Sequence, residues 1–345
     1  MYDRHRNKLA VANHKKECMP IKQYQTTFTL GALLVALSAV SLFIGAVDID
    51  LKTLTQNSME WKIFFLSRIP RLLAVLCTGF GLSVAGLIMQ QLCMNKFVSP
   101  TTGATIQSAQ LGILLSIAFL PQLGFWGRTA LAFAAAIVGT WTFIWFVQRI
   151  RFRNTALVPL IGIMFGSIIG GVTGFLAYKF EVTQQLSTYL VGSFALIIKG
   201  NYELVYLVLP LLAAAFVFAG HFNIVGLGRD LSENLGVRYD RILLLGLTIS
   251  SMITAAIVTI VGQISYIGLI LPNLVAMFKG DNIRGTLIDT ALLGGLFVLI
   301  CDMAARTVIR PYELPVELVT GILGSILFLL MLLRKLLPGG AGHGA

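Results

Sequence analysis

The stretch SRIPRLLAVLCTGFGLSVAGLIMQ, residues 67–90, decides the fold class of this protein. Beyond Arg71 no charged side chain occurs until Lys96. A helix crosses a hydrocarbon core of ~30 Å with about 20 apolar residues, so this run reads as a membrane span over 70–93. Pro70 suits the first helical turn, where a missing N–H costs nothing. The glycines along the run, and its GLIMQ end, read as small-residue packing surface, which helix interfaces in lipid favour.

The rest of the chain repeats the pattern. Its 345 residues are 57% hydrophobic and 12% charged, whereas about a quarter of an ordinary soluble domain is charged. With a mean hydropathy of +0.84, a single water-soluble core cannot hide the apolar surplus. A soluble globular enzyme is excluded, and the chain is a polytopic membrane protein. The 34 glycines and 10 prolines fit this class, because neighbouring helices take up freed backbone groups. The net charge of +11 reads as a topology signal in cytoplasmic loops and not as affinity for nucleic acid. Cys77, Cys93 and Cys301 fall in or beside apolar runs and Cys18 lies in the basic tail, so the cysteines outline no disulfide framework.

Runs of spanning length predict an all-α protein of about ten transmembrane helices. They lie at 27–46, 70–93, 104–120, 127–148, 156–178, 202–220, 242–262, 264–278, 286–305 and 316–333. The eighth is short, and its Gly268 and Pro272 predict a broken or re-entrant segment paired with the seventh, tolerable only under a cover of protein or cavity. The first run is too long for a signal-peptide core and is read as a retained span. The chain therefore divides into a basic tail 1–26, a membrane domain 27–335 and a short tail 336–345. Lys and Arg concentrate on the side of the N-terminus, which predicts that both termini are cytoplasmic. The apolar stretch 190–198 is too short to cross and predicts a short interfacial or re-entrant helix on the outer side. The inner loop 220–241 carries both signs of charge; GRDLSENLG with Leu231 and Leu235 at i, i+4 predicts a short helix at the cytoplasmic surface.

Few groups offer chemistry. Asp302 and Arg306 stand at i, i+4 near the outer end of the ninth span and read as a structural ion pair. Asp289, Glu313 and Glu317 fit helix ends, and no span carries the chain of buried acids and histidines expected of a proton-driven carrier. No GxxxxGK[ST] phosphate loop occurs, so energy comes from another subunit if it is used. The four histidines, at 5, 14, 221 and 343, lack metal-ligand spacing, and neither a metal site nor a catalytic residue is predicted. In SRIPR, Arg68 and Arg71 stand three apart where a span begins. Both guanidiniums are expected at the outer surface, anchoring on lipid headgroups or docking an acidic partner.

Six segments in order resemble the permease subunits of ABC importers for iron-siderophores and cobalamin, the FecCD type. They are the stretch 67–90 quoted above, NKFVSPTTGA at 95–104, GRDLSENLGV at 228–237, GQISYIGLILPNLV at 262–275, GDNIRG at 280–285, and DMAARTVIRPYELPVELVTGILGSILFLLMLLRK at 302–335. The resemblance implies a type II importer permease fold in the cytoplasmic membrane. It further implies a homodimer or heterodimer of such subunits around a central path, two ATPase subunits below that hold ATP and Mg, and a substrate-binding protein above. By the same resemblance, Arg68, Arg71 and Arg306 receive acidic residues of the binding protein. Gly228, Arg229, Leu231, Glu233, Leu235 and Gly236 belong to a coupling helix seated on the ATPase, the leucines and Gly236 packing and Arg229 and Glu233 supplying polar contacts. Ser99, Thr101, Thr102, Gln107 and Ser167 are candidate path residues. NKFVSP stands where the family often has NPLASP, and Pro272-Asn273 where it often has Pro-His. Both departures lean toward the subgroup serving ferric siderophores of the catecholate type.

The cycle so implied is alternating access: the loaded binding protein docks, ATP closes the ATPase dimer, the 228–237 helix moves, and the ligand passes inward. The competing class is an autonomous secondary transporter driven by an ion gradient, which the sparse intramembrane acids disfavour.

Overall fold

The computed structural model describes residues 25–44, 58–149 and 157–336. The two tails, apart from their helical edges, lie outside the described residues. The helices are α1 (Gln25–Phe43), α2 (Ser58–Ile63), α3 (Ile69–Leu92), α4 (Thr105–Phe119), α5 (Phe125–Arg149), α6 (Leu157–Lys179), α7 (Thr183–Leu190), α8 (Val208–Val225), α9 (Arg229–Asn234), α10 (Tyr239–Val261), α11 (Ile267–Lys279), α12 (Ile283–Thr307) and α13 (Val316–Leu336). A π-helical turn, Phe64–Arg68, joins α2 to α3. Among the described residues there is no strand, only an isolated parallel bridge between Val191 and Gln263. Eight helices are long and apolar enough to cross a membrane, and α4 and α11 are shorter apolar helices. Each predicted span thus has its helix, two of them at part length. Helix is the outcome because lipid offers no partner to a backbone N–H or C=O.

Helix α3 runs through the middle of the bundle, with 78% of its apolar window buried against 22% for α6. Its neighbours come to backbone contact. A Cβ on Gly79 would stand 2.5 Å from the carbonyl oxygen of Gly294 on α12, and one on Gly268 of α11 would stand 2.8 Å from the carbonyl oxygen of Leu82. Glycine is required at these crossings by space alone.

The short helices α4 and α11 begin inside the protein. Ahead of α4, the 3-10 turn Pro100–Gly103 ends on Ala104 at φ +60°; ahead of α11, the chain turns through Gly262 at φ +89° and Tyr266 at φ +70°. The two breaks meet, since a Cβ on Gly268 would lie 2.5 Å from Cδ of Pro100. Ala104, Thr105, Ile264 and Ile267 are all buried, so protein covers the irregular backbone as a membrane demands. Pro272 cannot donate to the carbonyl of Gly268 one turn earlier. The side chain of Gln90 on α3 takes that place, its Nε2 donating to the carbonyls of Gly268 at 3.1 Å and Leu269 at 3.0 Å. The break predicted within 264–278 is there, but the expected pairing with the seventh span is corrected: α11 packs on α3 and α12 and not on α10.

One expected element moves. The short outer helix predicted over 190–198 is instead α7, which ends at Leu190. The following backbone is committed to other segments: Ser193 N–H donates to Val261 O at 2.9 Å, Gln263 N–H to Leu190 O at 2.9 Å, and Glu317 N–H to Gly192 O at 3.0 Å. Those bonds replace the ones a helix would have made.

Gly79→Val is expected to cost ~3 kcal/mol or more by forcing α3 from α12, whereas Gly171→Ala, where a Cβ meets nothing within 4 Å, is expected to be neutral. Thermal unfolding of the two purified variants, with gel filtration for monodispersity, checks the contrast.

Candidate functional site

Where α3 begins and α12 ends, four charged side chains form one network. Asp302 lies between two arginines: Oδ1 is 2.8 Å from Nη2 of Arg71, and Oδ2 is 2.6 Å from Nη2 of Arg306. The second arm of Arg71 reaches Oε2 of Glu313 at 2.8 Å. Asp302 is 1% exposed and Arg306 6%, so each charge is affordable only because the others are present. Arg306 also donates to the carbonyl of Ile44 and the hydroxyl of Ser41, each at 2.6 Å, and Arg68 donates to the carbonyl of Leu42 at 2.6 Å. These are cations at the C-terminus of α1, where the helix dipole favours them.

The i, i+4 pairing of Asp302 with Arg306 is therefore present, within a larger group. The expectation that Arg71 projects at the outer surface is corrected: its guanidinium turns inward, because the glycine crossing of α3 with α12 brings Asp302 within reach. Arg306 is likewise turned inward.

On the other side of the bundle, α9 sits between α8 and α10. It is bracketed by Gly228 at φ +101° and Gly236 at φ +78°, a conformation glycine adopts without penalty. Gly236 N–H bonds Glu233 O at 3.0 Å and Val237 N–H bonds Ser232 O at 2.9 Å, which is a Schellman termination. Ser232 is fully buried and donates to the carbonyls of Gly228 at 2.6 Å and Ile224 at 2.9 Å. Leu231 and Leu235 are 53% and 61% exposed. The short surface helix read over 228–237 is there, with its apolar pair turned away from the bundle. Beside it opens a shallow cavity of about 440 Å³ lined by Glu233, Val237, Arg238 and Arg241 among others.

The candidate path residues gather at the break before α4, except one. Ser99 and Thr101 bond to each other through their hydroxyls at 3.1 Å; Thr102 falls in the same turn, its side chain outside the described atoms. Gln107 points its Oε1, which has no hydrogen-bond partner among the described residues, toward α6, where a Cβ on Gly166 would stand 3.0 Å away. Ser167 lies on the exposed side of α6 and returns its hydroxyl to the carbonyl of Ile163 at 2.8 Å.

Sequence reading missed Gln90 and the bonds around Lys96. Asn273 donates to the carbonyl of Lys96 at 2.7 Å, and the Lys96 ammonium pairs with Asp281 at 2.8 Å. Asn223 at the end of α8 donates to the side chain of Asn282, the N-cap of α12, at 2.6 Å. Among the described residues no three His, Cys, Asp or Glu side chains gather closely enough to hold a metal ion.

Comparison with known proteins gives a consistent match. The model of the FecCD transport family matches residues 33–334. The petrobactin import system permease protein YclN of Bacillus subtilis is 42% identical over 304 residues, covering 88% of this chain and 96% of that one. The ferric-anguibactin transport system permease protein FatD of Vibrio anguillarum is 38% identical over 309 residues, covering 89% and 98%. Among solved structures, an inward-facing metal-chelate type ABC transporter superimposes with a TM-score of 0.80 at 25% identity, covering 90% of this chain and 99% of that one.

Asp302→Ala leaves the buried guanidinium of Arg306 without a carboxylate and Arg71 with Glu313 alone, and is expected to cost about 3–5 kcal/mol. Combining Asp302→Leu with Arg306→Met, which removes one stranded charge and leaves Arg71 with Glu313, is expected to recover part of that loss. Thermal unfolding of the permease in nanodiscs reads both.

Proposed function

The chain belongs to the FecCD transport family, and on that premise we propose that it is the membrane-spanning permease subunit of an ABC importer for a ferric siderophore of the catecholate type. The observation that carries the reading is α9: a six-residue helix held by a buried serine, presenting Leu231 and Leu235 outward. Two exposed leucines on a rigid mount suit a groove in another protein. A partner ATPase, carrying the ATP and Mg, is the fitting occupant. Both termini are then cytoplasmic, on the same side as α9. Two ATPase subunits serve a pair of permeases, either two copies of this chain or this chain with a homologous one. The permease itself hydrolyses nothing.

Docking of the substrate-binding protein falls at the outer ends of α3 and α12. Arg68 is the residue assigned to meet an acidic group there. Arg71 and Arg306 act from within, holding the platform rigid through Asp302. The ligand enters between permeases, and the break before α4, with Ser99, Thr101, Thr102 and Gln107, lines its way together with Ser167. The relatives named for petrobactin and anguibactin import support a siderophore as the cargo.

The test is uptake of radiolabelled ferric siderophore into proteoliposomes holding this permease, its partner permease where one exists, the ATPase and the binding protein. Uptake is expected only with ATP on the ATPase side and with the binding protein present; uptake by this chain alone under an ion gradient would sink the proposal and establish a secondary transporter. Leu235→Asp is expected to leave folding intact, because the residue is exposed, and to lower uptake by about tenfold or more, a loss within the range usual for coupling between sites. Arg68→Glu is expected to weaken binding of the cognate binding protein, measured on immobilised permease; unchanged binding removes Arg68 from the docking surface.

A further inference from the structure

Arg229 is the first residue of α9, and its charge is already spent inside the chain. Its Nη1 donates to Oδ2 of Asp240 at 3.2 Å, its Nη2 pairs with Oδ1 of the same carboxylate, and its guanidinium carbon lies 4.9 Å from the centre of the Tyr239 ring. Glu233, one turn along α9, stands 3.6 Å away. Tyr239 is 2% exposed and opens α10, and Asp240 follows it in the first turn. Arginine is suited to this double role, because its planar fork grips a carboxylate while its face stacks on an aromatic ring.

The helix α9 consequently has two mounts. Ser232 ties it to the end of α8 through the carbonyl of Ile224, and Arg229 ties it to the start of α10. With Ser232 alone it could rock about one point; with both it moves as a body with α10. That helix runs inward from Tyr239, donates from Ser250 to the carbonyl of Ala85 on α3 at 3.1 Å, and passes the turn before α4, where a Cβ on Gly103 would lie 3.8 Å from Oγ of Ser251. The leucines of α9 and the turn before α4 are thus joined by the Arg229 guanidinium in addition to the short backbone link 235–238.

We infer that Arg229 is a positioning residue that clamps α9 to α10 and passes displacement of α9 into the bundle, in place of a direct polar contact with the ATPase. The inference rests on the importer reading above and gives the α9 surface a division of labour: Leu231 and Leu235 meet the partner, Arg229 and Ser232 transmit.

Two measurements test it. Hydrogen exchange of the amides over 229–237 in the purified permease is expected to speed about fivefold in Arg229→Ala, and to return toward the parent rate when Arg229→Asp is combined with Asp240→Arg. In the reconstituted importer, Arg229→Ala is expected to keep ATPase binding and ATP hydrolysis while siderophore uptake per ATP falls about tenfold, with the charge swap restoring part of it and Arg229→Lys falling between. Uptake per ATP equal to the parent's overturns the inference. So does loss of ATPase binding that the swap fails to restore, which makes Arg229 a direct contact. Should the parent complex show no ATP-dependent uptake, the importer reading falls, and the exchange result alone still decides whether the clamp exists: unchanged exchange refutes it.

Discussion

The backbones of Gly79 and Gly294 meet where α3 crosses α12, and the charged network at the start of α3 and the end of α12 depends on that contact. No side chain separates the two helices there, so Arg71 and Asp302, distant in sequence, reach hydrogen-bond distance. Once Asp302 is buried between Arg71 and Arg306, none of the three charges can be removed without stranding another. The same group then holds α1, whose apolar window is only 11% buried, through the carbonyls and the serine at its end. A peripheral helix with little area to bury is fastened by polar bonds, which are expensive to break where water is scarce.

The opposite end of the bundle, where α9 lies, is built differently. There the charged pairs are exposed, Arg229 with Asp240 and Lys96 with Asp281, at half exposure or more, and exposed pairs of this kind contribute little to stability. They tie short segments to their neighbours, α9 to the start of α10 and the loop after α3 to the loop before α12, and fasten no two membrane-spanning helices to each other. A transporter must keep one framework constant while another part shifts, and the contrast between a buried network at one end and exposed ties at the other matches that requirement.

Much of this was legible in the chain. Each of the ten expected spans coincides with a helix among the described residues, eight of spanning length and two shorter, because twenty apolar residues in lipid have no alternative to a helix, and the short eighth run betrayed its break through Gly268 and Pro272. The surface helix over 228–237 showed in its two glycines and its leucine pair. The helix expected over 190–198 was misplaced because hydropathy cannot see that Leu190, Gly192 and Ser193 bond to Gln263, Glu317 and Val261. The outward aim given to Arg71 failed for a related reason: a position at the start of a span says how high a residue sits and not which way it turns.

Asn273 and Lys96, noted separately as departures from a family pattern, turn out to be bonded to each other, and Gln90 turns out to complete a helix that Pro272 interrupts. Composition and periodicity determined that the chain is a bundle of membrane-spanning helices, and which runs form them, since those follow from the local balance of apolar and charged residues. Only the tertiary structure decided which charges are shared, which carbonyl a distant glutamine serves, and how α9 is fastened. Those bonds depend on distances between helices, and the distances are set by where two glycines face each other across a crossing.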